Sequence, residues 1–396
     1  ITKMDRFDER DTIFSRMTLE PGTERYNRYY KRHSEKKAID DELRSAQPGK
    51  FSHKMPEAPM VDTTFAFITR LRDFVRGFEG EYNAPEYLKK ELSSSDLTAY
   101  LKKSLAAYGA VLSGATQTDE KCAYSVRGRG ERYGRENNEL LPYTLVYALE
   151  MSIEEMRTAP GIREAAEVAG TYLRVAVPGL VIASYLRGLG YKAVCHMDGE
   201  SELVLPPIAQ RAGLGQIGRH GLIVNKKYGS RIRFGAVTTD AELLLDEPVD
   251  FKLPKVCEVC RKCSELCPVG AIPKGSIIDD YANMVRAIDH ETCFSAWKQF
   301  GTDCGVCVSA CPYSKVGRSA ARGVSGKKSG DGPAKAAAAD SGDEQPRAPK
   351  PGDPDFLKAY MFGGGFTSSA GGRGDPKENS LLEDSHQSEE TDEPDE

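Results

Sequence analysis

Eight of the ten cysteines in the 396-residue sequence fall between Cys257 and Cys311. The first run reads Cys257-x2-Cys260-x2-Cys263-x3-Cys267-Pro268. The second set is Cys293, then Cys304-x2-Cys307-x3-Cys311-Pro312. Three thiolates on one tight loop bind three irons of an iron–sulfur cube, and the cysteine before proline points away to a second cube. By that logic one [4Fe–4S] cluster takes Cys257, Cys260, Cys263 and Cys311. The other takes Cys267, Cys293, Cys304 and Cys307. The competing chemistry is structural zinc on CxxC pairs, which has no use for the third cysteine and the x3-Cys-Pro of each run. Two such cubes pass electrons singly at low potential; they do not name the acceptor. Cys122 and Cys195 stand outside the pattern and read as small buried residues.

A bare electron carrier needs no long stretch ahead of Cys257, so the acceptor is sought upstream. Residues 141–149, LPYTLVYAL, read as a strand. A long helix is expected over 161–188, kinked or divided at Pro178. YKAVCH (191–196) reads as a strand and PPIAQRAG as a helical turn. A glycine loop, Gly213-Leu-Gly-Gln-Ile-Gly218, precedes Arg219 and the strands LIVNK (222–226) and IRFGAVTTD (232–240). Bare glycines let a backbone approach a large cofactor, although a plain turn explains the loop alone equally well. Four arginines, Arg127, Arg129, Arg132 and Arg135, share a second glycine-rich stretch. They read either as a ligand-binding loop or as a solvated basic one.

Further out, residues 1–60 read as an extended arm with one short helix in ERYNRYYKRHSEKKAIDDELR. FAFITRLRDFVRGF and YLKKELSSSDLTAYLKKSLAAYGAVL read as helices, with Leu101, Leu105 and Val111-Leu112 near helical spacing. Beyond the cysteines the sequence turns low-complexity and then acidic, a composition that buries no core. Net charge is −5, hydrophobic residues make up 39% and charged residues 29%. That balance disfavours nucleic acid as a partner. No unbroken apolar run approaches a membrane span, and the polar start ITKMDRFDERDTIFSR shows no secretory pattern.

Taken together, LRGLGYKA, AGLGQIGRHGLIVNKKYGSRIRFGAVTTD, CEVCRKCSELCPVGAIP and CGVCVSACPYSK resemble the corrinoid- and iron–sulfur-dependent reductive dehalogenases, from Tyr124 to Lys315. DERDTIFSR and PGTERYNRYYKRH look like that family's N-terminal arm. The resemblance implies base-off cobalamin in a nitroreductase-like core, two [4Fe–4S] clusters feeding the cobalt, and replacement of a halogen by a proton. It implies Tyr172 as proton donor assisted by Arg233, with Asp198 standing where an asparagine is usual. It puts the corrinoid near Gly213, Gly215, Gly218 and Arg219. A guanidinium beside Tyr172 is expected to lower its pKa, and Asp198 to raise it. His196 is a second local acid.

The fold class expected is α+β. A nitroreductase-like α/β corrinoid-binding core (96–250) follows an N-terminal arm and helices (1–95). A two-[4Fe–4S] ferredoxin-like module (251–316) and a largely disordered tail (317–396) complete the chain. The partners implied are a small organohalide and a low-potential donor: ferredoxin, flavodoxin or a membrane quinol chain. Cytoplasmic residence is expected, or a membrane-associated periplasmic one, with an anchoring partner, if a twin-arginine leader lies upstream of Ile1. The rival readings are an epoxyqueuosine reductase-like corrinoid enzyme and a non-catalytic iron–sulfur electron carrier.

Overall fold

The computed structural model describes residues 6–47, 57–78, 92–275 and 288–315. The expected tail, 317–396, lies outside them.

Helices α1 (Ile13–Arg16), α2 (Glu24–Arg32), α3 (Ser34–Ser45), α4 (Ala58–Phe78) and α5 (Ser94–Ala107) lead into β1 (Leu112–Gln117) and β2 (Tyr143–Glu150). Then come α6 (Ile153–Met156), α7 (Ile162–Gly188), β3 (Ala193–His196), α8 (Leu205–Arg211), β4 (Gln216–Ile217), β5 (Ile223–Val224) and β6 (Ile232–Thr239). Among the described residues four short helices follow: α9 (Leu253–Cys260), α10 (Lys262–Glu265), α11 (His290–Phe300) and α12 (Val306–Ala310).

The main sheet has the order β1-β2-β6-β3, with every neighbouring pair antiparallel. Alternation along β2 divides its side chains between two layers. Leu145, Tyr147 and Leu149 join Leu97, Leu101, Leu105, Val175, Ile182 and Leu186 beneath α5 and α7. Val146 and Ala148 face Ile208, Ala209, Leu214, Ile217 and Ile223 from α8 and the glycine loop. A mixed helix-and-sheet fold, the α+β class expected, is the result.

Three expectations change. Val111-Leu112 do not extend a helix: α5 stops at Ala107, and LSGATQ forms edge strand β1, whose Gly114 lies against the backbone of Ala212. The arm is not one short helix but α2 and α3. Tyr26, Tyr29, Tyr30 and Leu19 form a small core of their own. One helix, α7, does reach the length and apolarity of a membrane span, yet half of its apolar window is buried inside the protein.

Pro178 does not divide α7. Its ring removes a helical N–H, and a side chain from the sheet enters the ladder beside it. The Tyr147 hydroxyl donates to the Val175 carbonyl at 2.6 Å and accepts from the Gly179 amide. A Cβ on Gly179 would fall 2.4 Å from that hydroxyl and 2.8 Å from Cys195 Sγ, so glycine is required there. Cys122 and Cys195 are both buried, as expected.

Candidate active site and thiol clusters

β6 sets the polarity of the site. Ile232, Phe234 and Ala236 face α8, so Arg233 and Gly235 face α7. Arg233 therefore reaches Tyr172 on the first half of α7, and its guanidinium lies 5.2 Å from the centre of the phenol ring. This is a cation over an aromatic face, not a bond to the hydroxyl. Arg233 Nε is buried with no acceptor in the protein.

Asp198, at the turn after β3, and Asp303 also act on Tyr172. The phenol pKa is raised: burial dominates, and the two carboxylates add to it. Arg233 and, from farther off, Arg129 pull it down without prevailing. Arg233 was expected to lower this pKa and Asp198 to raise it; burial decides for the rise. Tyr172 thus keeps its proton at neutral pH. The three residues singled out from the sequence are brought together.

Glu164, in the first turn of α7, was not foreseen. It is fully buried, and its carboxyl lies against Asp303, within the influence of Arg233. Burial first, then Asp303, pushes its pKa well above the usual range. No N–H of the protein reaches either Glu164 oxygen, so a proton shared with Asp303 relieves the pair. Glu164 is one of several acids on an amphipathic helix, and only the fold marks it.

His196 is not an acid here. Burial, with Arg127 and Arg132 assisting, lowers its pKa to about 3. Its Nε2 pairs with Thr238 Oγ1 at 2.9 Å, and its Nδ1 accepts from the Glu202 amide at 3.3 Å.

All ten cysteines are free thiols. Cys257, Cys260, Cys263 and Cys311 line one cavity, the first foursome expected. Cys267, Cys293, Cys304 and Cys307 lie close together: burial first, then the neighbouring thiols, pushes Cys293 up to about 11, Cys304 up to about 12 and Cys307 well above the usual thiol range. Among the described residues, no three His, Cys, Asp or Glu side chains converge on a single ion. Thiols gathered in fours around one space could hold a metal centre. Bound iron would supply the positive charge that these crowded, buried thiols lack.

The second foursome adjoins the acid–base group. Tyr172 and Cys307 pack on the same apolar cluster of Met151, Met156, Val168 and Val308. Glu164 meets Gly305, where a Cβ would fall 2.1 Å from its carboxylate and φ is +57°.

The glycine loop differs from expectation. The bare face of Gly213 meets the Glu247 carbonyl, that of Gly215 the Val224 carbonyl, and that of Gly218 the side chains of Val224 and His220. Packing within the chain accounts for all three, so a cofactor would have to meet other atoms of the loop. Arg219 is spent elsewhere. Its three guanidinium nitrogens bond the carbonyls of Cys257, Pro273 and Gly275, clamping the first cysteine run to the core. Arg231, also missed, bonds the carbonyls of Met151 and Ser314 and pairs with Glu150 at 2.8 Å. Three of the four arginines in the 127–135 stretch are taken up by ion pairs, Arg129 with Glu9 at 3.2 Å among them, and Arg135 is exposed. Arg127 is buried between Glu9 (3.0 Å) and Glu200 (3.5 Å), and Arg132 pairs with Glu202 at 3.4 Å.

No family model matches the chain. It is a relative of the reductive dehalogenases, the class its motifs resemble and one whose members are oxidoreductases acting on carbon–halogen bonds. Tetrachloroethene reductive dehalogenase of Desulfitobacterium hafniense is 36% identical over 184 residues, 43% of this chain and 33% of that protein. The Sulfurospirillum multivorans enzyme of the same name is 33% identical over 178 residues, 43% of this chain and 35% of that one. The chain thus spans about a third of the length of these relatives. A solved reductive dehalogenase, described as performing B12-dependent dehalogenation, is 25% identical with a TM-score of 0.55, covering 69% of this chain and 41% of its own. A catabolic reductive dehalogenase in complex with 3-bromo-4-hydroxybenzoic acid gives the same values. Epoxyqueuosine reductase of Lactococcus garvieae is 32% identical over 118 residues, 28% of this chain and 32% of that one.

Proposed function

We propose that the chain carries out reductive dehalogenation, R–X + 2e⁻ + H⁺ → R–H + X⁻, on a small organohalide. The observation that carries this is the packing of Tyr172, with Arg233 and Asp198 beside it, on the apolar cluster that also holds Cys307. A proton source and an electron source then share one enclosed site.

The first [4Fe–4S] cluster would be held by Cys257, Cys260, Cys263 and Cys311, the second by Cys267, Cys293, Cys304 and Cys307. In this reading the segment 251–316 is a ferredoxin-like module and 96–250 a nitroreductase-like core. A bound corrinoid would supply the reducing metal centre; B12 dependence in a related protein supports it. The loop from Gly213 through Gly215 and Gly218 to Arg219 would meet it through atoms other than the glycine faces and the occupied guanidinium.

Tyr172 holds a proton because its pKa is raised, and it releases that proton only to a strongly basic carbon. Arg233 offers a free Nε to the phenolate left behind, or to the departing halide. Asp198 disfavours premature ionisation of the phenol. Met151, Met156 and Val168 keep water from the transfer.

The test is anaerobic reconstitution followed by a halide-release screen that includes tetrachloroethene and 3-bromo-4-hydroxybenzoic acid. Halide released in step with consumed electrons supports the reading. Bound corrinoid and intact clusters with no halide from any aryl or alkenyl compound would overturn it.

A further inference from the structure

Cys257, Cys260 and Cys311 of the first thiol foursome are half-buried, and their cover is unusual. Val259, between Cys257 and Cys260, is 85% exposed. Val256 and Leu266, flanking the same run, are 40% and 48% exposed. Side chains of this kind left in water mark a contact surface when they gather in one place, and these three sit on α9 and just beyond α10. Val256 itself lines the cavity of the four thiols.

The charge around them is mainly positive. Lys255, Arg261 and Lys262 belong to the same segment, with Arg261 also lining the thiol cavity. Arg261 is in the left-handed conformation (φ 51°) at the break between α9 and α10. Of the two acids here, Glu258 is engaged by Arg219 at 3.8 Å, leaving Glu265 against three cations. An apolar centre inside a basic rim is electrostatically matched to an acidic partner, and steering of that kind raises association rates most at low salt. Small redox encounters use patches of modest area.

We propose that this face, Val256, Val259 and Leu266 rimmed by Lys255, Arg261 and Lys262, is where a small acidic one-electron carrier protein docks and delivers electrons to the first thiol foursome. The proposal rests on the cluster reading above. Each encounter oxidises the carrier by one electron and reduces the bound cluster by one. Two encounters supply the two electrons that, with one proton, convert R–X to R–H and X⁻.

The experiment uses the full chain with reconstituted clusters. Stopped-flow absorbance follows cluster reduction by a reduced acidic [2Fe–2S] ferredoxin and, separately, by photoreduced 5-deazaflavin, a small reductant needing no docking face. The expected results are a ferredoxin rate that falls with added salt, and a drop of tenfold or more in Val259→Asp and in Lys255→Glu/Lys262→Glu. Val259→Leu is expected to keep the parent rate, and deazaflavin to reduce all four proteins alike. Unchanged ferredoxin rates in both disruptive variants, with clusters intact by electron paramagnetic resonance, overturn this proposal alone. Failure of any chain to assemble [4Fe–4S] clusters overturns the cluster reading and this proposal with it.

Discussion

Tyr172 shows how burial and charge compete at a single side chain. The phenol is shifted upward although a guanidinium lies over its ring, so it is a reluctant acid with its proton in place. Tyr172→Phe is expected to lower turnover by roughly a hundredfold or more, the usual worth of a positioned proton donor, while cluster absorbance stays that of the parent. Unchanged halide release would remove Tyr172 from the reaction. His196 makes the opposite point. Its pKa is depressed to about 3 in the folded chain, so between that value and about 6.5 the unfolded chain binds the extra proton. Its neutral form favours folding above pH 6.5, and stability falls as pH drops below that, by up to about 1.4 kcal/mol per unit. Melting His196→Gln beside the parent at pH 7 and pH 5 is expected to show a shallower loss in the variant. Spacing and resemblance singled out Tyr172, Arg233, Asp198 and the eight thiols. Glu164 and Asp303 escaped notice because what distinguishes them is enclosure, which arises only when α7 and the second cysteine run pack together.

Among the elements, α7 and the turn before β6 have the most to position. The Tyr147 hydroxyl replaces a helical bond beside Pro178, so Tyr147→Phe leaves backbone groups of Val175 and Gly179 short of partners. The expected cost is about 1–3 kcal/mol, read as a lower denaturant midpoint. Gly229 has φ +61°, and a Cβ there would fall 2.3 Å from the Ser314 amide, just past Cys311. Gly229→Ala is therefore expected to displace Cys311 and cut reconstituted iron by about half, by loss of one of two cubanes. Full iron content would show that the turn yields instead. The sequence pattern located β2, α7 and β6 because each carries a long apolar period, and β3 from the short run YKAVCH. β1 was hidden by LSGATQ, whose small residues signal neither period and whose strand character comes from lying on β2 and Ala212. Arg219 was misjudged for a related reason: the carbonyls it clamps lie 38 to 56 residues away in sequence.

At the scale of the molecule, the N-terminal arm ties the two chemical regions together. Glu9 reaches Arg127 and Arg129 on one side. On the other, Arg16 pairs with Asp40 and Glu291, and Phe14 packs on Phe294 and Trp297 of α11, the helix that carries Cys293. Asp40 is fully buried, so Arg16→Met would strand its charge. The expected loss is about 3–5 kcal/mol, visible as a lower Tm; a shift of less than a degree would show the arm to be loosely held. An arm made this way has a history in time. Arg16 and Glu291 are 275 residues apart. At about 5–20 residues per second of synthesis, Arg16 leaves the ribosome some 14–55 s before its partner exists. The cysteines near α11 emerge into a chain whose first segment has only its Arg127 side to hold, and closure of the arm onto α11 belongs to the last stage of maturation.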